Sequence, residues 1–267
     1  MEQKKPLSRF LSGGYIGLVL LFVYLPILYM IVFSFNDSKS MLNFTGFSLR
    51  WYEDLFRNRS LLESVSNTFV VAFLSTLVST VLGTVSAIGL SKSRRLFRET
   101  VLEINNLPIM NPDIVTAIGL MLLFTSMKVS AGLVTLVLAH ISFCTPFVIL
   151  SIMPKLRQLD DNVAEAAMDL GATPFQALYK IILPQIYPAI FSGALIAFSM
   201  SLDDFVVSYF TKPEGFNTIS TYVYTMRRYN YSVNALSTLI VAVVAVILIL
   251  ANVIPRITEK KNDKEEV

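Results

Sequence analysis

Six stretches of this chain contain no lysine or arginine and are long enough to cross a bilayer as helices: about 10–35, 64–91, 104–127, 131–153, 185–210 and 233–255. A bilayer core of about 30 Å takes about 20 helical residues, and a helix satisfies its own backbone groups where no water can. Only 15% of the 267 residues are Asp, Glu, Lys or Arg, against roughly 25% in a soluble domain. The sequence therefore predicts an all-α polytopic membrane protein with six transmembrane helices, residues 1–267 forming one transmembrane domain. The first stretch resembles a secretory signal. It is too long for one, however, and ends at Ser34-Phe35-Asn36-Asp37 without a small-residue cleavage site, so a retained first helix is expected. The connectors are too short for a separate catalytic domain, so any nucleotide is expected to be handled by another polypeptide.

Charge gives the orientation. With both termini in the cytoplasm, fourteen of the 22 lysines and arginines fall inside, as the positive-inside rule favours. The formal net charge of +3 is weak and dispersed, which disfavours a nucleic-acid partner and leaves lipid as the surrounding medium. Cys144, the one cysteine, excludes an intrachain disulfide and reads as a small apolar core residue. His140, the one histidine, reads as a hydrogen-bonded packing residue, because a metal site needs further ligands. In segment 36–63 the spacing of Leu49, Tyr52, Leu55 and Phe56 predicts a short external helix at the interface, with Trp51 among its residues. The charged tail Glu259–Val267 is expected to be disordered.

Between the fourth and fifth stretches, within the cytoplasmic segment 155–184, residues 160–184 read as two short helices with a tight break. Asn162 and Glu165 are spaced as a capping box, and Gly171 supplies a left-handed C′ position. Thr173 caps a second helix whose first turn holds Pro174, Gln176 completes its capping box, and Pro184 marks a hinge into the fifth span. Ala164, Ala166 and Ala167 give the first helix little bulk, so another surface can approach closely. A hairpin packed on its own protein and a docking surface fit these residues equally well.

Glu165-Ala166-Ala167, three further residues, Gly171, nine residues, and then Ile181-x-Leu183-Pro184 resemble in full the EAA motif of permease subunits of ABC importers. The resemblance implies the type I ABC importer permease (MetI-like) fold. It implies a non-catalytic subunit whose Glu165, Ala166, Ala167, Asp169 and Gly171 dock into a cytoplasmic ATPase. No G-x-x-x-x-G-K-[ST] occurs in the chain, so no cofactor is expected here, and ATP and Mg are expected on that partner.

Three carboxylates lie deep in the apolar stretches. Counting 1.5 Å per helical residue puts Asp113 about 21–23 Å from Glu99 and from Lys128, near mid-bilayer, and Asp203 and Asp204 about 12–14 Å inside the Lys212 end. Ionisable groups at such depth are costly and face a cavity or a partner. For Asp113 the alternative is a helix cap after the interruption by Pro108 and Pro112. No lysine or arginine lies at comparable depth, which points to a cationic substrate path through Asp113, Asp203 and Asp204. Phe205, Tyr209, Tyr222 and Tyr224 are expected to add cation–π contacts.

Met110–Val115, His140–Phe147, Glu165–Ala172, Ser201–Ser208 and Asn234-Ala-Leu further resemble the permeases of spermidine/putrescine importers. That branch implies a bacterial plasma-membrane complex with a homologous second permease, two ATPase copies and an extracellular or periplasmic polyamine-binding protein. The external segment Thr211–Tyr231 departs from it. Other readings remain: a permease for a different small solute, an ion-coupled carrier, and an intramembrane enzyme, for which H-E-x-x-H and G-x-S-x-G are both lacking.

Overall fold

The computed structural model describes residues 6–160 and 162–265. It is helical, and its one isolated antiparallel bridge among the described residues joins Asn36 and Phe47. The helices are α1 (Pro6–Ser34), α2 (Arg50–Arg57), α3 (Arg59–Ser91), α4 (Arg95–Met110), α5 (Asp113–Ser126), α6 (Leu133–Gln158), α7 (Asn162–Asp169), α8 (Pro174–Ala177), α9 (Leu183–Asp203), α10 (Val206–Thr211), α11 (Ile219–Thr225) and α12 (Ser232–Glu265). Among the described residues, four continuous helical runs are long and apolar enough to cross a membrane: Gly14–Ser34, Arg59–Ser91, Leu133–Gln158 and Pro174–Asp203. Helices α4 and α5 make a fifth crossing only as a pair bent by 103°, and the described apolar part of α12, Ser232–Ile247, is shorter.

Three boundaries differ from the sequence reading, each for a local reason. The third span is not straight, because Asn111 precedes Pro112 and both adopt extended backbone, which stops α4 before α5 begins. The fifth span stops at Asp204, whose ψ of 132° is extended, and resumes as α10. The chain is not interrupted at Pro184. Helix runs from Pro174 to Asp203 through a π-turn over Leu178–Ile182, in which the Leu183 N–H bonds the Leu178 carbonyl. Pro184 has no N–H to give the Lys180 carbonyl, and that carbonyl lies inside the widened turn. At the chain end α12 continues through Glu265 where a disordered tail is expected, and Glu266 and Val267 lie outside the described residues.

The chain divides into two compact units, residues 1–62 with 226–267, and residues 63–225. In the first, α12 packs on α1 and α2. Asn36 organises the loop before α2: its amide donates to the Ser40 and Asn43 carbonyls at 3.1 and 2.9 Å and accepts the Thr45 N–H at 2.9 Å. The Trp51 indole donates to the Asn36 carbonyl at 2.6 Å and stacks on Tyr231. The buried face of α2 is Trp51 and Leu55, one turn apart, while Leu49 and Phe56 are exposed.

The second unit is built around α6. Val148, Ile149, Ile152 and Met153 form a core with Ala87 and Leu90 of α3 and Ile186 and Ala197 of α9. Cys144 lies within this core and is buried. Lipid removes the ordinary hydrophobic drive for helix association, so close packing at small residues carries it. Gly83 and Gly193 are where α3 and α9 meet Val148: a Cβ at Gly83 would lie 2.6 Å from the Val148 Cγ1, and one at Gly193 3.2 Å from its Cα.

Candidate functional site

The two helix breaks meet at one cavity. The end of α4 and the start of α5 contribute Pro108, Asp113 and Thr116, and the α9–α10 break contributes Asp203, Asp204 and Phe205, around a cavity of about 310 Å³. Straight helices separate the carboxylates into two depths, whereas the bent ones bring all three to one chamber. The 103° turn between α4 and α5 is what carries Asp113 there. Asp113 is an exposed first-turn residue of α5; the N-cap is Pro112, with no side-chain cap bond. It benefits from the positive helix end without serving as the hydrogen-bonding cap. Neither Asp113 nor Asp203 has a basic partner among the described residues.

Asp204 is held differently. Its two carboxylate oxygens accept the Val207 N–H at 3.2 Å and the Ser208 N–H at 2.7 Å, so it caps α10 from the chain break itself. Asp203, one residue earlier, is exposed, while the Asp204 side chain is only 9% exposed. Of this adjacent pair, one carboxylate is structural as well as electrostatic, and the other is free to meet a solute.

Three of the four anticipated aromatic residues come together. Phe205 lines the cavity and lies 4.6 Å, centroid to centroid, from Tyr224 and 5.6 Å from Tyr209, and those two tyrosines are 5.5 Å apart. Tyr222 is on α11 too, with its N–H on the Thr218 carbonyl at 2.8 Å. Among the described residues no group of three His, Cys, Asp or Glu side chains is arranged to hold a metal ion.

Beneath the cavity lies a polar network that sequence reasoning missed. His140 of α6 is fully buried; its Nδ1 is 2.7 Å from the Ser201 hydroxyl of α9 and its Nε2 is 2.9 Å from the Ser208 hydroxyl of α10. Ser201 is in turn 3.0 Å from Ser75 of α3. The local signal was present in the four-residue spacing of Asp204 and Ser208, but the link to His140 spans 61 and 68 residues.

Segment 155–184 forms a compact turn. Gly171 has φ +89°, its N–H bonds the Met168 carbonyl at 2.9 Å, and the Ala172 N–H bonds the Ala167 carbonyl at 3.0 Å, the paired bonds of a Schellman end. Thr173 and Gln176 form the expected capping box on α8. The box between Asn162 and Glu165 does not form among the described residues. Asn162 is already in α7, and its N–H goes to the Asp160 carboxylate at 2.9 Å. Glu165, Ala166, Asp169 and Gly171 face outward, but Ala167 is buried against its own chain. The outward surface also carries Leu170, 90% exposed, and Phe175, 73% exposed, two large apolar groups the sequence reading did not single out.

Comparison with known proteins places these features in a group. The family model described as "Binding-protein-dependent transport system inner membrane component" matches residues 79–264. Among curated relatives, the spermidine/putrescine transport system permease protein PotC of Escherichia coli strain K12 is 35% identical over 258 residues, covering 96% of this chain and 98% of that one. The putrescine transport system permease protein PotI of the same strain is 37% identical over 240 residues, covering 86% and 85%. The crystal structure of a bacterial ABC transporter involved in the import of the acidic polysaccharide alginate contains a similar fold, with TM-score 0.73, 16% identity, and 96% and 99% of the two chains covered.

Proposed function

We propose a function from one premise: this chain belongs to the family of binding-protein-dependent transport system inner membrane components. It is a multi-pass membrane protein of that group. Our reading is that it is a permease subunit of an ATP-driven importer and carries polyamines such as spermidine and putrescine inward. The observation that carries the substrate class is the single cavity lined by Asp113, Asp203 and Asp204 with Phe205 at its wall. The names of the relatives at 35 and 37% identity point the same way.

The chemistry follows from like charges gathered around one cavity. Three carboxylates there repel one another. A solute with several ammonium groups on a flexible chain relieves that repulsion more than a single charge does. The Phe205, Tyr209 and Tyr224 faces add about 0.5–2 kcal/mol per cation–π contact. An anion meets only repulsion there.

Energy input comes from outside the chain in this reading. Both termini are cytoplasmic, and the complex holds two copies of a separate ATPase, which bind ATP and Mg, one of them docked on the α7–α8 turn of this chain. Its exposed Glu165, Ala166, Asp169 and Gly171, with Leu170 and Phe175 as apolar anchors, support that role. A homologous second permease completes the path, and a polyamine-binding protein delivers solute from outside. This chain itself catalyses no reaction.

The test is reconstitution of the chain with its neighbouring gene products in proteoliposomes, following labelled spermidine. Uptake that requires ATP on the ATPase side and delivery protein on the other is the expected result. Uptake without ATP, or no uptake of spermidine or putrescine while another solute is carried, overturns the reading.

A further inference from the structure

We propose that His140 is a positioning residue of the carboxylate cavity: it bonds both halves of the broken α9–α10 span and, through Ser208, fixes the direction of the Asp204 carboxylate. This rests on the amine-path reading for its consequence, though not for its geometry.

The argument starts from the break. A helix interrupted inside a membrane leaves backbone groups without partners and two short rods free to rotate about the joint. Here the joint is Asp204-Phe205, and both residues line the cavity, so any rotation of α10 moves its wall. His140 stands on α6, the central helix of the unit, and is fully buried. One ring nitrogen reaches Ser201, near the end of α9, at 2.7 Å; the other reaches Ser208, in α10, at 2.9 Å. The same Nε2 is 3.6 Å from an Asp204 carboxylate oxygen. The ring also packs 5.1 Å from that of Phe143, another cavity residue.

A neutral imidazole has one donor and one acceptor, held rigidly on opposite sides. In either neutral tautomer one ring nitrogen donates and the other accepts, so a single imidazole bonds Ser201 and Ser208 together. Ser208, held through its hydroxyl by the ring, presents its backbone N–H to an Asp204 carboxylate oxygen at 2.7 Å. The result is a chain of contacts from the helix before the break, across it, to the carboxylate. Ser75 at 3.0 Å from Ser201 anchors the far end on α3. Serine or threonine at position 140 could not reach both sides. Leucine would fill the volume and leave Ser201 and Ser208 facing apolar atoms.

The experiment compares His140→Leu and His140→Gln in the full complex. Glutamine places an amide where Nε2 stands and keeps the Ser208 side of the chain. For spermidine uptake, His140→Leu is expected to raise the half-saturating concentration roughly tenfold, about the value of one hydrogen bond to a charged group. The maximal rate and thermal midpoint should change much less. His140→Gln is expected to recover most of the loss, and His140→Leu added to Asp204→Asn should cost little beyond Asp204→Asn alone.

A second readout needs no substrate. With Cys144→Ala as background, Val206→Cys places a thiol on the cavity wall, and its reactivity with cationic over anionic thiosulfonates reports the local negative potential. That ratio is expected to fall several-fold in His140→Leu and to return in His140→Gln. If the wild-type complex carries no spermidine, the amine reading fails while the thiol ratio still decides the role of His140. Equal effects of leucine and glutamine, an unchanged thiol ratio, or losses that multiply with Asp204→Asn overturn the proposal.

Discussion

Gly171 offers a perturbation whose size can be worked out from one angle. Its φ of +89° lies where an L side chain is strained, yet a Cβ built there meets nothing within 4 Å. Steric collision is therefore removed from the problem, and only backbone conformation remains. An L-residue in the left-handed region costs about 1–2 kcal/mol, so Gly171→Ala should reduce the population of the native turn by roughly 5- to 30-fold relative to alternatives. Asparagine tolerates that region better than alanine, and valine, branched at Cβ, worse. Because the Schellman bonds to Met168 and Ala167 fix how α7 meets α8, the two sides of the proposed docking turn should lose register in that order. ATP-driven uptake and co-purification of the ATPase should both fall as Gly, Asn, Ala, Val. Expression and the thermal midpoint of the membrane unit should hold steady, since residue 171 is exposed. Alanine as active as glycine, or asparagine worse than alanine, would refute the conformational account.

Two glycines on α3 predict opposite signs. Gly83→Ala, whose Cβ would meet Val148 at 2.6 Å, should destabilise the unit by about 1–3 kcal/mol, and Val148→Ala should partly rescue it. Gly89→Ala, with nothing within 4 Å, should stabilise by about 0.5–1 kcal/mol, read as thermal midpoints in detergent. In the other unit, Trp51→Phe keeps the ring against Tyr231 but loses the 2.6 Å bond to the Asn36 carbonyl. It should cost about 1 kcal/mol and speed proteolysis of the 36–47 loop.

The legible part of this fold is what local chemistry dictates. The apolar stretches, the Thr173–Gln176 capping box and the glycine end at position 171 each depend on residues within one or two turns. The carboxylates were legible as residues but not as a cluster. Depth counted along a straight helix fails where Asn111-Pro112 bends the chain and where Asp204 withdraws its own backbone from the helix to cap the next one. Both breaks had sequence markers, a proline pair and an Asp pair, but the segments after them pack on each other, Ala117 of α5 and Val207 of α10 meeting with Ala139 of α6, which no local pattern contains. His140 was read as a bonded packing residue, which it is; its partners 61 and 68 residues away gave it a further position that no periodicity contains.

The central claim, that the carboxylate cavity is the path of a cationic solute, is most directly tested by neutralising its two unpaired members without changing their shape. Asp113→Asn and Asp203→Asn leave the Asp204 cap and the His140 network in place, so the helix break should persist. Initial rates of ATP-driven uptake of labelled spermidine into proteoliposomes are compared for the wild type, each single variant and the double variant, at matched complex content. The account predicts a reduction in each single variant and near-complete loss in the double variant, with ATPase activity of the complex retained. Wild-type uptake rates in the double variant would contradict it.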